Sequence, residues 1–124
     1  MSSRLLCVTV DCTDPARLAD FWSRALDYTA HRQLPNGAHL IAEDERTTPW
    51  LAFTPVPEDK QTKNRLHLDI QADARDADAR DAEVERLVAL GATRTDVGQP
   101  GDSAWVVLAD PEGNEFCVLP PRPA

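Results

Sequence analysis

The signals for one strand, one helix and three further strands run through the first half of the chain. They recur in the same order in the second half, offset by ~60 residues. Residues 4–11 (RLLCVTVD) form a β-branched run, the pattern of a strand. Thr13-Asp14-Pro15 follows. Asp14 is suited to cap a helix and Pro15 to open one, because the N–H that proline lacks has no partner in a first turn. Leu18, Phe21, Trp22, Ala25 and Leu26 then recur at helical spacing, which puts Trp22 in the core. Residues 28–33 and 38–43 read as strands around Pro35-Asn36-Gly37, where Asn-Gly supplies the positive φ values of a tight hairpin. Residues 50–56 complete the set as a strand ended by its prolines.

The polar run over residues 58–63 (EDKQTK) reads as a linker, leaving module one as 4–57 and module two as 64–120. In module two, residues 66–71 alternate, with His67, Asp69 and Gln71 on one face and Leu66, Leu68 and Ile70 on the other. A helix is expected over 83–90 with Gly91 ending it, and the charged run 72–81 (ADARDADARD) as its solvated first turn or two. Strands are expected over 92–97, 104–108 and 115–119, the last two joined by an Asp110-Pro111-Glu112-Gly113-Asn114 turn. The reading is one α+β domain over residues 1–124, built from two βαβββ modules. Each module alone would expose one face of its sheet. Pairing them, within a chain or across a homodimer, covers edges and leaves a cleft. A ferredoxin-like sandwich would have fewer strands per helix.

Composition excludes several function classes. No apolar run approaches the ~20 residues of a bilayer span, and the opening residues lack a cleavage site, so a cytoplasmic protein is expected. Cys7, Cys12 and Cys117 are odd in number and lack CxxC spacing, which argues against disulfides and zinc knuckles. A net charge of −8 argues against nucleic acid as a partner and tolerates a cationic one.

Particular runs carry a family resemblance. Asp14-Pro15, Leu18-Ala19-Asp20-Phe21-Trp22 and Leu26-Asp27-Tyr28 occupy the first module. Arg65-Leu66-His67-Leu68-Asp69, Leu90-Gly91-Ala92 and the run from Ala109 through Asp110-Pro111-Glu112-Gly113-Asn114-Glu115-Phe116 to Val118 occupy the second. Together they resemble the glyoxalase/bleomycin-resistance/dioxygenase (vicinal oxygen chelate) superfamily. Asp27 stands where that family usually has Gly, and Asp can take a left-handed cap at some cost. The resemblance implies paired βαβββ modules, often a dimer, and a small-molecule ligand. Members hold a divalent metal and run lyase, isomerase or dioxygenase chemistry, while others lack metal and sequester a drug.

In the superfamily, metal ligands come from the first and last strands of each module, and the matching second-module residues are His67 and Glu115. An imidazole and a carboxylate converging there suit Zn, Fe, Mn, Co or Ni. Glu115 is also the expected proton-transfer residue. In module one, Cys7 falls near a ligand place and could bind as thiolate, whereas Trp50 falls at the carboxylate place and cannot ligate. Two aligned ligands are fewer than the three a catalytic zinc normally takes, so a pair that merely hydrogen-bonds, or the remnants of a lost site, is the rival reading. Asp69, Trp50 and Trp105 are candidate substrate contacts, the tryptophans as a stacking wall. His31 and His39 are weaker cleft candidates, and Cys12 and Cys117 read as small buried hydrophobes. A non-catalytic small-molecule binder of the bleomycin-resistance type, or an oligomerisation or regulatory module with no small ligand, are the alternatives to an enzyme.

Overall fold

The computed structural model describes residues 2–96 and 103–121. The chain forms two compact units, Met1–Lys60 and Gln61–Ala124. The first contains β1 (Cys7–Cys12), α1 (Pro15–Leu26), β2 (Ala30–Gln33), β3 (His39–Ala42) and β4 (Trp50–Pro55). The second contains β5 (Asp69–Ile70), α2 (Ala79–Leu90), β6 (Thr93–Arg94), β7 (Val106–Ala109) and β8 (Glu115–Val118). Strand order is β1-β4-β3-β2 in one sheet and β5-β8-β7-β6 in the other. In each, the first strand runs parallel to the last and the remaining pairs are antiparallel. The expected α+β fold of repeated βαβββ modules is therefore found, and the ferredoxin-like alternative is not.

Local chemistry explains the sharpest boundaries. The Asp14 side chain accepts the Arg17 N–H at 3.2 Å and Pro15 opens α1. Leu18, Ala19, Phe21, Trp22 and Ala25 are its buried stripe. Asp27 takes the left-handed conformation at φ 56°, and the Tyr28 N–H reaches back to the Ser23 carbonyl at 3.0 Å, the six-to-one bond of a Schellman ending. The β2–β3 hairpin departs from expectation. Gly37 alone in the turn has positive φ (+90°), while Asn36 uses its side-chain oxygen to accept the Ala38 N–H at 3.0 Å. Gly37 N–H bonds to Leu34 and Leu34 N–H to Ala38, so one turn with a single left-handed glycine closes the strands. The Asp110–Asn114 hairpin repeats that pattern: Gly113 N–H bonds to Asp110, Asp110 N–H bonds to Asn114, and Gly113 has φ +87°.

The second unit corrects four expectations. Residues 72–78 are not helical; α2 begins only at Ala79, and its N-cap Asp78 makes no side-chain cap bond. Aspartates compete for nearby backbone groups, so the helix forms where Val84 and Leu87 can be buried. The strand expected over 66–71 is reduced to Asp69–Ile70, with Leu66 85% exposed. The first ladder bond on this side is Cys117 N–H to the Leu68 carbonyl, and upstream the Glu115 carboxylate accepts the Asn64 N–H in its place. β6 keeps only Thr93–Arg94 of the strand expected over 92–97, whose last residue, Val97, lies outside the described residues. β7 starts at Val106, leaving Trp105 before the strand and 40% exposed.

Register sorts each sheet into two faces. Leu51 and Phe53 of β4 share a face with Ile41 of β3, and α1 packs on these strands. Trp50, Ala42 and Ala30, with Cys7 and Leu40, form a separate cluster with no helical residue, so they occupy the opposite face. In the second unit Leu108, Phe116 and Val118 are fully buried on one face, with Val84 and Leu87 of α2. Asp69, Cys117, Glu115, Val107 and Ala109 lie on the other. Among the described residues, no helix is long and apolar enough to cross a membrane.

Tyr28, the only tyrosine, titrates high because burial disfavours the phenolate and Glu43 repels it. A folded-state pKa above the ordinary 10.0 means this group's contribution to stability is complete below that value. It declines as pH rises from there through the folded pKa. Absorbance at the phenolate band should therefore give a midpoint above that of free tyrosine, and Glu43→Gln should move it partly back.

Candidate metal centre

The parallel pairing of β5 with β8 sets Asp69 directly beside Cys117, so both side chains leave the sheet on one face. His67 stands two residues before Asp69, in the irregular approach to the strand. Its Nδ1 lies 2.9 Å from Asp69 Oδ1 and 3.9 Å from Cys117 Sγ. One ligand atom from each of the three falls within 4.8 Å of the others. Cys117 is buried, while the His67 and Asp69 side chains are 43% and 45% exposed, so the group is dry on the thiol side and open on the other.

Electrostatics define what this cluster can do. Burial first, then the charge and hydrogen bond of Asp69, push the Cys117 thiol pKa up, against a smaller opposing pull from Lys63. The thiol is therefore a proton carrier at neutral pH unless a cation replaces its proton. A Cys-His-Asp nucleophilic relay does not fit. Such a relay needs the thiol and carboxylate on different ring nitrogens, and here both address Nδ1. A divalent cation does fit, because imidazole, carboxylate and thiolate are the donors that borderline metals take, and three protein donors with an open side match a catalytic site.

The residues expected from sequence fall in different places. His67 is in the cluster; neither Glu115 nor Cys7 belongs to that group of three. Glu115 shares its face with Cys117, two residues away on β8. Its Oε1 accepts the Asn64 N–H at 3.0 Å, and Asn64 Nδ2 bonds Asn114 Oδ1 at 3.2 Å. In the first unit Cys7 pairs with Trp50 in register, its Sγ 3.9 Å from Thr9 Oγ1. Trp50 is buried, with the Arg32 guanidinium 5.0 Å above its ring, so one aromatic face is already covered. His31 and His39 bond each other at 2.8 Å. Cys12 is buried and donates to the Thr54 carbonyl at 3.7 Å, and Trp22 is core. Sequence reasoning missed Cys117 as a partner of His67. The available signal was the pair of i, i+2 spacings His67-Leu68-Asp69 and Glu115-Phe116-Cys117 on strands expected to be neighbours.

Solved structures share this architecture. A glyoxalase/bleomycin resistance protein/dioxygenase family enzyme from Burkholderia phytofirmans superposes with a TM-score of 0.70 at 17% identity, covering 94% of this chain and 97% of that one. The fosfomycin resistance protein FosX from Mesorhizobium loti gives 0.67 at 17% identity, with 96% and 92% covered. A FosX variant from Listeria monocytogenes, complexed with Mn(II) and 1S,2S-dihydroxypropylphosphonic acid, gives 0.69 at 13% identity, with 96% and 90% covered. At these identities the likeness concerns the fold. No curated protein matches the sequence. The sequence profile of the glyoxalase-like domain matches residues 7–119, which takes in every helix and strand of the described residues, from β1 to β8. The chain belongs to the glyoxalase-like domain family.

Proposed function

We propose that this chain is a small-molecule enzyme of the lyase, isomerase or dioxygenase kind, using a divalent cation held by His67, Asp69 and Cys117. The convergence of those three donors within 4.8 Å carries the reading. Asp69, a candidate substrate contact by sequence, is assigned to the ion instead. When bound, the cation would polarise a carbonyl or enolate oxygen of the substrate. Glu115 is the proton acceptor: it stands next to the donors on the same strand face, and the Asn64 N–H fixes one carboxylate oxygen, which orients a general base. Trp105, before β7, offers exposed aromatic surface to a ligand. Glu115 and Cys7 as metal ligands remain the sequence-based variant of this proposal.

One observation favours a second reading, a metal-free binder of the bleomycin-resistance type. Trp50, which cannot ligate, pairs with Cys7 where the resemblance calls for a metal-binding carboxylate. The two readings separate in untagged protein purified without chelator or nickel. Zinc, manganese or cobalt should raise the melting temperature through preferential binding to the folded state, and His67→Ala should remove the part of that rise owed to this centre. Absence of any rise in wild-type protein would reject the enzyme reading and leave the binder.

A further inference from the structure

We propose that His31 and His39 form a second cation site, a bis-imidazole clamp on the β2–β3 hairpin that takes zinc, nickel or copper. His31 Nε2 and His39 Nδ1 are 2.8 Å apart, with ring centroids 5.0 Å apart and planes inclined at 39°. Two nitrogens bound at right to tetrahedral angles to one ion, each at ~2.0–2.1 Å, sit about 2.9–3.4 Å apart. The rings thus need to part by only a few tenths of an ångström for a cation to replace the proton they share.

The backbone holds this spacing. His31 pairs with Ile41 and His39 with Gln33, which makes the histidines diagonal neighbours across an antiparallel ladder, within reach for side chains of this length. The single-glycine turn over residues 34–38 fixes the register. A pre-positioned pair binds an ion without having to order two free side chains. Gln33, opposite His39, stands on the same face with an amide oxygen. Arg32, between His31 and Gln33, leaves the strand on the other face and is paired with Glu45 at 2.8 Å, so its charge does not oppose a cation here. His31 is exposed and His39 half-buried, so the clamp is open to ions from solution.

Imidazole donors set the ion class. Affinity should follow copper above nickel and zinc, with manganese weakest, and magnesium should not bind. The clamp shares no residue with the His67 cluster, whose members all belong to the other unit. Zinc and copper titrations of the untagged full chain by calorimetry test it, with His31→Gln, His39→Gln and His67→Ala compared. His31→Gln and His39→Gln should each weaken one binding event at least about 100-fold, since losing even an outer partner of a metal ligand costs 10–100-fold. His67→Ala should leave that event in place. Copper should also broaden the imidazole resonances of both His31 and His39 in wild-type protein, a readout that needs no variant to fold. Titrations unchanged by His31→Gln and His39→Gln, or broadening confined to His67, would overturn the clamp. Loss of an event in His67→Ala alone would support the other centre and not this one.

Discussion

Replacing Asp110 by alanine should cost the second unit about 2–4 kcal/mol of stability, read as a lower urea midpoint at unchanged slope. Asp110 is 3% exposed, the one buried charged residue among those described. Its Oδ1 accepts the backbone N–H groups of Glu112 and Asn114, at 2.9 and 3.0 Å, and both oxygens receive the Asn114 side-chain amide at 3.2 and 3.1 Å. Alanine leaves two turn amides and one side-chain amide without that acceptor, in a turn whose other residues are half-buried apart from the exposed Gly113. Hydrogen bonds to charged groups contribute more than neutral ones, and an orphaned donor carries its desolvation penalty, so the loss exceeds that of an ordinary surface turn. Asp110→Asn keeps an acceptor oxygen and should recover about half the loss, roughly 1–2 kcal/mol. An Asp110→Ala protein as stable as wild type would show that the turn is held by Pro111 and Gly113 alone. The effect should reach beyond the turn, because Asn114 also binds Asn64, whose N–H holds the Glu115 carboxylate.

The sequence announced what local chemistry determines. Asp14-Pro15 and the Leu18 to Ala25 stripe specify α1 through capping and periodicity, terms that need no knowledge of the rest of the fold. The positions of both Pro-x-Gly turns were legible for the same reason, although in the first only Gly37, and not Asn36, takes a positive φ. The two halves were legible as repeats because each repeats the same order of such signals. What was not legible depended on partners distant in sequence. Leu66 and His67 alternate like a strand, yet the ladder to β8 begins only at Leu68, so alternation upstream had nothing to pair with. His67 was therefore assigned a strand face it does not occupy as part of a strand. Its neighbours follow from the register Asp69 to Cys117, a relation between positions far apart in the chain that no local pattern encodes. The burial of Trp50 beneath Arg32 is of the same kind, since those residues come from β4 and β2, which flank β3.

Cys117→Ala should weaken cation binding at the second-unit centre at least about 100-fold, or roughly 2.8 kcal/mol at 1.4 kcal/mol per tenfold. The physical ground is that a thiolate is the donor most particular to zinc and cobalt here. The raised thiol pKa means that a bound ion must displace the Cys117 proton, which a weak or distant ion could not do. Cobalt makes the ligand visible: a sulfur-to-metal charge-transfer band should appear in wild-type protein and vanish in Cys117→Ala. Because the side chain is small and alanine fits the same buried position, the substitution should leave the fold intact, which an unchanged urea midpoint of the second unit, to which Cys117 belongs, checks. Glu115→Gln divides the two ligand assignments. If Glu115 acts as proton acceptor beside the ion, the band and the affinity should persist while turnover of any substrate falls, because an amide cannot take the proton. If Glu115 is instead a ligand with His67, as the family resemblance alone implied, the affinity should collapse in Glu115→Gln and survive in Cys117→Ala. The opposite pattern in the two variants is what the side-by-side placement of Asp69 and Cys117 demands, and it distinguishes the assignments without any knowledge of the substrate.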